Sequence, residues 1–313
     1  MKGRSGDFDV LVAGAGPAGL SAAMWCRELG LSAVVLEQES APGGQLRRIY
    51  NPITNYLGSA AANGAEMCDR FLQSVGQYNA PIVLNSGIAE IDVVGRSLLT
   101  RSGERYSGRF IIVATGVSRR RLGVPGEDKF EGKGVLASGA RDRAAAAGKI
   151  AVVVGGGDAA LENATMLSEF ASRVYVIHRR SHFAARAEFV ERAGSDPKIE
   201  LICDSTVTGI LGRDRVEAVM LMANSAAKPV RLQTDVVLIR IGVEPNTNLL
   251  NGKVELDGRG YVLVDPVCRT SAESVYAVGD AACPASPTIA TAVGMGATAA
   301  KHIRFRFDPM NAV

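Results

Sequence analysis

Three short stretches carry residue types that can hold a cofactor or move charge. In "GAGPAGL", Gly14, Gly16 and Gly19 fall in G-x-G-x-x-G spacing. In that pattern the first glycine makes a tight turn, the second lets the backbone approach a pyrophosphate, and the third lets a helix pack on a strand. The helix start offers free N–H groups and a positive dipole end to phosphate. About 20 residues on, Glu37 ends the next apolar run, where a carboxylate can bond a ribose 2′-hydroxyl. The alternative is that the glycines serve only a tight packing turn. A second stretch, "VVVGGGDAALENA", repeats the arrangement at Gly155, Gly157 and Ala160, but its next strand ends in His178, Arg179 and Arg180. An acid there repels a 2′-phosphate, whereas guanidinium groups fork onto one, so NADP is implied rather than NAD. A solvated strand end is the other reading. The third stretch is "SGARD", which brings Ser138, Arg141 and Asp142 just ahead of the second turn. Its guanidinium and carboxylate can stabilise charge and move a proton, or form a surface ion pair.

The flanking patterns supply elements to position these groups. "FDVLVAG" and "SAVVLE" are continuous apolar runs, as in parallel strands buried on both faces. The helix of small residues between them ends on Gly30. The loop-rich "SAPGGQLRRIYNPITNYLGSAAANG" follows, then a helix, "AEMCDRFLQSVGQYN", and shorter strands up to "RFIIVATGV". From about residue 120 the pattern restarts with "KIAVVVGGG", "DAALENATMLSEFA" and "RVYVIHRR". "IELICDSTVTGIL" and "VEAVMLMA" read as antiparallel strands, and "DVVLIRIGVEPN" closes the block. The tail holds "VYAVGDAACP" and a helix, "TIATAVGMGATAAKHIRF". The expectation is an α/β protein with two Rossmann-like dinucleotide-binding domains, the second inserted into the first.

Composition narrows the class. The 313 residues suffice for two cores, and 47% hydrophobic with 21% charged residues is ordinary for a globular protein. Aromatic residues make up only 5%, so Ala, Val, Leu and Ile must fill the core. A net charge of +3 argues against a nucleic-acid coat or a polybasic membrane anchor. No apolar stretch approaches the roughly 20 residues that span a bilayer. "MKGRSGDFDVLVAG" lacks a charged-then-apolar leader, so a cytoplasmic location is expected. The cysteines, at 26, 68, 203, 268 and 283, form no C-x-x-C and no metal-ligand spacing, and there are three histidines. Reduced, isolated thiols and no metal site are expected.

"GAGPAG", "GGQL", "ITNYLG", "IIVATGV", "VVVGGGDAA", "HRR", "GVEPNT" and "VYAVGD" stand in this order along nearly the whole chain. The series resembles the low-molecular-weight thioredoxin reductases, the class II pyridine nucleotide-disulfide oxidoreductases. The resemblance implies a homodimeric flavoprotein with FAD in a discontinuous domain, 1–118 and 245–313. NADP(H) belongs to an inserted domain, 119–244, which swivels between two tasks in that family. It assigns the FAD pyrophosphate and adenosine to Gly14, Gly16, Pro17, Ala18, Gly19, Glu37 and Gln38. Gly44, Gln45 and Leu46 are to line the flavin, and Ala114, Thr115 and Gly116 to run along the FAD. Asn55 is to bond near the isoalloxazine or ribityl chain, unless it is a turn residue before Tyr56. Gly279 and Asp280 are to meet ribityl or phosphate oxygens, unless Asp280 caps a strand end in an Asx turn, and Ile289 and Ala290 start the last helix beside the cofactor. NADP(H) falls to Gly155, Gly157, Asp158, Ala159, His178, Arg179, Arg180 and Ile241.

The departures from the family pattern bear on function. The family carries C-x-x-C-D where this chain has "SGARD", so Ser138 and Arg141 stand at the cysteine positions and Asp142 persists. A hydroxyl and a guanidinium cannot store two electrons. Pro287 and Thr288 replace an Arg-Gln pair, and Ala184 replaces a third arginine for the 2′-phosphate, leaving Arg186 to reach instead. The expected function is an FAD-dependent NAD(P)H oxidoreductase that is not a thioredoxin reductase. Flavin exchanges electrons directly with a small-molecule substrate or acceptor beside residues 138–142, with Arg141 stabilising negative charge and Asp142 moving a proton. Two alternatives are a ferredoxin or flavodoxin NADP reductase that docks its partner on "QLRR", "SRRR" or "HIRFRF", and a non-catalytic FAD/NADP-binding sensor or scaffold.

Overall fold

The computed structural model describes residues 7–307. The first six residues, read above as part of a leader-free opening, and the last six lie outside the described ones. The chain forms two compact units: one runs to Ser118 and resumes at Glu244, and the other is Arg119–Val243.

In the first unit β1 (Asp7–Ala13) leads to α1 (Pro17–Glu28) and β2 (Ala33–Leu36). A short 3-10 helix, Gly44–Arg48, precedes α2 (Gly64–Gly76). Then come β3 (Ile82–Val83), β4 (Ile88–Asp92), β5 (Ser97–Thr100), β6 (Arg105–Val113) and β7 (Val117–Arg119). The second unit holds β8 (Val135–Leu136), α3 (Gly139–Asp142), β9 (Ile150–Val154), α4 (Asp158–Ser168), β10 (Arg173–Ile177), α5 (Ala187–Gly194) and β11 (Ile199–Ile202). It continues through β12 (Ser205–Leu211), β13 (Ala218–Ala223), β14 (Val230–Gln233), β15 (Val236–Ile239) and β16 (Val243–Pro245). The chain finishes in the first unit with β17 (Val275–Ala277) and α6 (Ile289–Phe307). β7 and β16, where the chain passes between units, pair with each other.

The main sheet of the first unit runs β3-β2-β1-β6, with β17 and the β5–β4 hairpin sharing the far edge of β6. The two-residue period of β1 splits its apolar run between two cores. Val10 and Val12 pack with α1 and α6, while Leu11 and Ala13 pack with Tyr106 and Leu250 on the other face. Small residues on α1 (Ala18, Gly19, Ser21, Ala22) let α6 come close. A Cβ on Gly296 of α6 would stand 2.3 Å from the Ala18 carbonyl oxygen and 2.9 Å from the Ala22 nitrogen.

The second unit has an all-parallel sheet, β11-β10-β9-β15-β8, and a separate antiparallel sheet, β12-β13-β14. Ala151 and Val153 of β9 face α4, and Val152 and Val154 face the antiparallel sheet. Here one expectation is corrected. "IELICDSTVTGIL" is not a single antiparallel strand: Asp204 turns in the left-handed region (φ 49°), so β11 joins the parallel sheet beside β10 and only β12 is antiparallel. Local patterning does not reveal that split, because both halves carry β-branched residues suited to a strand.

The close α1–α6 contact generates a test. Gly296→Val should lower folding stability by about 1–3 kcal/mol through overpacking, read as a lower urea midpoint with an unchanged slope. An unchanged midpoint would show that the helices tolerate a side chain there.

Candidate functional site

The first nucleotide turn is built by backbone contacts. A Cβ on Gly14 would lie 2.6 Å from the Ala114 carbonyl oxygen, and one on Gly19 would lie 2.0 Å from the Gly14 carbonyl oxygen. Gly16 faces open ground, with nothing within 4 Å of a Cβ built there. Pro17 starts α1 with its fixed φ, followed by Ala18, and no side chain caps the first turn, so its N–H groups are available to an acceptor.

Buried Glu37 ends β2 by anchoring this turn. Its Oε2 accepts the Ala15 N–H (2.7 Å) and its Oε1 the Glu39 N–H (2.9 Å). A carboxylate has lone pairs left over for a hydroxyl. Gln38 beside it is exposed. A Cβ on Gly44 would lie 3.0 Å from the Gly16 Cα, Gln45 Nε2 donates to the Val117 carbonyl (2.6 Å), and Leu46 is buried. Asn55 is exposed on the loop Thr54–Ala60, which lines a concavity of about 410 Å³. Ala114, Thr115 and Gly116 leave β6 and are held by Asn246, a residue not singled out in the sequence. Asn246 Nδ2 donates to the Thr115 carbonyl (2.9 Å), its N–H to the Gly116 carbonyl (3.0 Å), and its Oδ1 accepts from Ser118 Oγ (2.8 Å). The one sequence signal for it was its place after Pro245 in "GVEPNT".

Gly279 bends in the left-handed region (φ 70°) and presents Asp280 half-buried. The Asp280 carboxylate accepts no hydrogen bond from a described residue, so the Asx-turn reading is not realised, and burial raises its pKa above the usual carboxylate value. A half-buried acceptor left open beside the nucleotide turn fits a ligand hydroxyl. Ile289 and Ala290 begin α6, whose Thr288 hydroxyl accepts the Thr291 N–H (3.1 Å).

In the second unit a Cβ on Gly155 would meet the Arg240 carbonyl oxygen at 2.1 Å, while Gly157 faces open space. One expectation, that Arg186 reaches a phosphate, changes here. Asp158 Oδ1 and Oδ2 accept the Arg186 N–H and Nε (2.8 Å each), and Arg186 also pairs with Glu188 (2.8 Å). Those bonds from Arg186, the backbone N–H first, lower the Asp158 pKa. Arg186 is therefore engaged by two carboxylates rather than reaching for a phosphate. Ala159 follows Asp158 in α4. The His178 ring stacks on Phe183 (5.3 Å between centroids) and fills the space a Gly156 Cβ would need, so it floors the turn. Burial, aided by Arg180 and Arg179, lowers its pKa. Ile241 packs into the core beneath the antiparallel sheet. Arg179 and Arg180 are exposed and make no ion pair among the described residues, which suits capture of a phosphate.

The 138–142 turn is a cap. Ser138 is buried, and its Oγ accepts the Arg141 N–H at 3.4 Å. Asp142 Oδ2 accepts the N–H groups of Ala137 (2.9 Å) and Ser138 (3.0 Å), and its carboxylate pairs with the Arg141 guanidinium. Burial pushes the Asp142 pKa up, but Arg141 and the two amides outweigh it and leave it below the usual value. These bonds favour the ionised form and give Asp142 a clamping part in the turn. Ser138 likewise serves as a helix cap. Gly139 N–H donates to Asn163 Oδ1 (3.1 Å), tying the turn to α4. Two further arginines reach this place: Arg119 Nη1 and Arg240 Nη2 (3.2 Å) both donate to the Ala137 carbonyl. The only sequence signal for Arg240 was a charge ending the apolar run "VVLIR".

All five cysteines are free thiols, and Cys26, Cys68 and Cys268 are buried. Burial pushes Cys26 up to about 12 and Cys268 to about 11. No group of metal-ligating side chains occurs among the described residues, and no helix there is long and apolar enough to cross a membrane.

Two strand-to-helix nucleotide turns, one backed by a carboxylate and one by paired arginines, define a two-dinucleotide oxidoreductase. The chain belongs to the pyridine nucleotide-disulphide oxidoreductase family, whose sequence profile matches residues 8–298. A thioredoxin reductase of Listeria innocua is 32% identical over 296 residues, covering 94% of this chain and 92% of that one. One from Treponema pallidum is 33% identical over 299 residues, with 94% and 95% covered. Among solved structures, thioredoxin reductase of Lactococcus lactis superposes with a TM-score of 0.83 at 29% identity (96% and 98% covered), and that of T. acidophilum with 0.81 at 31% (96% and 99%). The fold is the mixed α/β arrangement of these enzymes, with FAD and NADP Rossmann-like domains. Members of this thioredoxin reductase-like family bind FAD and NADPH. The open ground at Gly16 and Gly157, the unsatisfied Asp280 and the exposed Arg179 and Arg180 fit those cofactors.

The Asp142 clamp has a pH signature. A carboxyl whose folded pKa is depressed stabilises above its unfolded value, here about 3.8, and loses that contribution as pH falls through the folded pKa. Asp142→Asn should therefore cost about 1–2 kcal/mol near pH 7, with the gap to wild type closing below about pH 4. Urea midpoints across that range check this; a gap independent of pH would contradict the clamp.

Proposed function

We propose that this protein is an FAD-dependent NAD(P)H oxidoreductase without a redox-active disulfide, passing electrons directly to or from a small molecule, in a cytoplasmic homodimer. The observation that carries this reading is the 138–142 turn, which holds a capped Ser138 and the Arg141–Asp142 pair and no sulfur. Elsewhere no two cysteines stand in C-x-x-C spacing, and burial opposes ionisation of Cys26, Cys68 and Cys268. A raised thiol pKa suppresses the thiolate that disulfide exchange requires.

Bound FAD supplies two-electron chemistry, with NADPH as the hydride source. The protein's part is to bind, orient and supply charge. Gly14, Gly16 and Gly19 open the backbone to a pyrophosphate, and Asp280 accepts from a cofactor hydroxyl. Arg179 and Arg180 select the 2′-phosphate. Arg141, positioned by Asp142, offers positive charge to a reacting small molecule.

The test begins with anaerobic NADPH. The expected protein releases FAD on denaturation, is bleached by NADPH, gains no titratable thiols, and does not reduce thioredoxin. Oxygen, quinones, small disulfides, ferredoxin and flavodoxin then serve as acceptors, and turnover confined to small molecules supports the proposal. Thioredoxin reduction that disappears in Cys283→Ser would overturn it, and coupling confined to ferredoxin or flavodoxin would assign the protein to those carriers. Arg179→Ala and Arg180→Ala should each lower the preference for NADPH over NADH by roughly tenfold, the value of one charge-assisted bond. Unchanged preference in both would remove the arginines from nucleotide selection.

A further inference from the structure

The arginine cluster around Ala137 is more than a cap requires. Asp142 alone satisfies the N–H groups of Ala137 and Ser138. The Ala137 carbonyl nevertheless takes both Arg119 and Arg240. Arg240 is half-buried. Its remaining bond, from Nη1, goes to its own Ile239 carbonyl (2.8 Å), and among the described residues it makes no ion pair. The charge nearest in kind is Arg119, a like charge that together with burial lowers the Arg240 pKa to about 10. Asp142 is the compensating carboxylate, and it is already engaged by Arg141 and two amides. Holding half-buried Arg240 beside a like charge is unfavourable unless an anion joins them.

The fold puts this cluster at a ligand-binding edge. In the order β11-β10-β9-β15-β8, β10 lies on one side of β9 and β15 with β8 on the other, so the crevice opens at the carboxyl ends of β9 and β15. Arg179 and Arg180 follow β10 on one flank. On the other flank Arg240 follows β15 and the Ser138–Asp142 turn follows β8. The Arg240 carbonyl packs directly on Gly155 of the nucleotide turn. The cluster therefore occupies the half of the crevice opposite the 2′-phosphate arginines.

We propose that Arg240 and Arg119 form an oxyanion site at the carboxyl edge of β8 and β15, which receives the carboxylate or phosphate of the redox substrate. Guanidinium forks match both groups. The assignment of that anion to the redox substrate rests on the small-molecule reading above; the site itself rests on the cluster.

Calorimetric titration of the FAD-bound protein with inorganic phosphate and with acetate tests it, alongside NADP+ affinity. Wild type should bind at least one probe, and Arg240→Leu should weaken that binding roughly tenfold or more, the loss of one charge-assisted contact. NADP+ affinity should stay within about twofold. Preference for phosphate or acetate separates a phosphate ester from a carboxylic acid. If Arg240→Leu does not fold, Arg119→Ala takes its place with the same expected loss. Failure of wild type to bind either probe, or equal binding by the variant, makes the cluster a structural clamp and overturns the proposal. A matching loss of NADP+ affinity overturns it in favour of a nucleotide contact. If thioredoxin or ferredoxin proves to be the acceptor while probe binding still depends on Arg240, the small-molecule reading fails and the oxyanion site stands.

Discussion

Main chain passes main chain at both nucleotide turns, at distances no side chain tolerates. Gly14 lies against the Ala114 carbonyl and Gly19 against that of Gly14; Gly155 lies against the Arg240 carbonyl. These contacts let a helix start directly over the carboxyl edge of a parallel sheet, which gathers unpaired N–H groups there. Gly16 and Gly157 keep the ground beside those groups clear. The other site residues are arranged around this constraint, including the Asn246 clamp on Thr115 and Gly116 and the His178 ring beneath Gly156.

The acids and bases divide the work. Glu37, Asp142 and Asp158 each accept backbone N–H groups and so hold turns in shape. At Asp142 and Asp158 the accepted amides favour the charged form. Asp280 differs: it is half-buried with no donor among the described residues, and burial moves its pKa the other way. On the basic side, Arg186 is occupied by Asp158 and Glu188, whereas Arg179 and Arg180 stand exposed. At Ala137 two guanidinium groups, those of Arg119 and Arg240, converge on a neutral acceptor.

The spacing of glycines and apolar runs determined by itself that this is an α/β protein with two nucleotide turns, since turn geometry and two-sided burial leave local marks. The residue types at 138 and 141 likewise excluded a dithiol at that turn, because neither side chain carries sulfur. Local pattern did not reach further. "IELICDSTVTGIL" hides a change of sheet at Asp204, and "HRRSHFAAR" does not disclose that Arg186 is held by Asp158, 28 residues earlier in the chain. Ser138 and Asp142 read as chemistry, and their capping part was hidden, because their capping partners are backbone amides that no side-chain motif records. Only the tertiary structure brought Arg119 and Arg240 to one carbonyl. Arg119 ends β7 and Arg240 follows β15, far apart in the chain, and the parallel pairing of β15 with β8, set by burial of the whole sheet, brings Arg240 to the turn that follows β8.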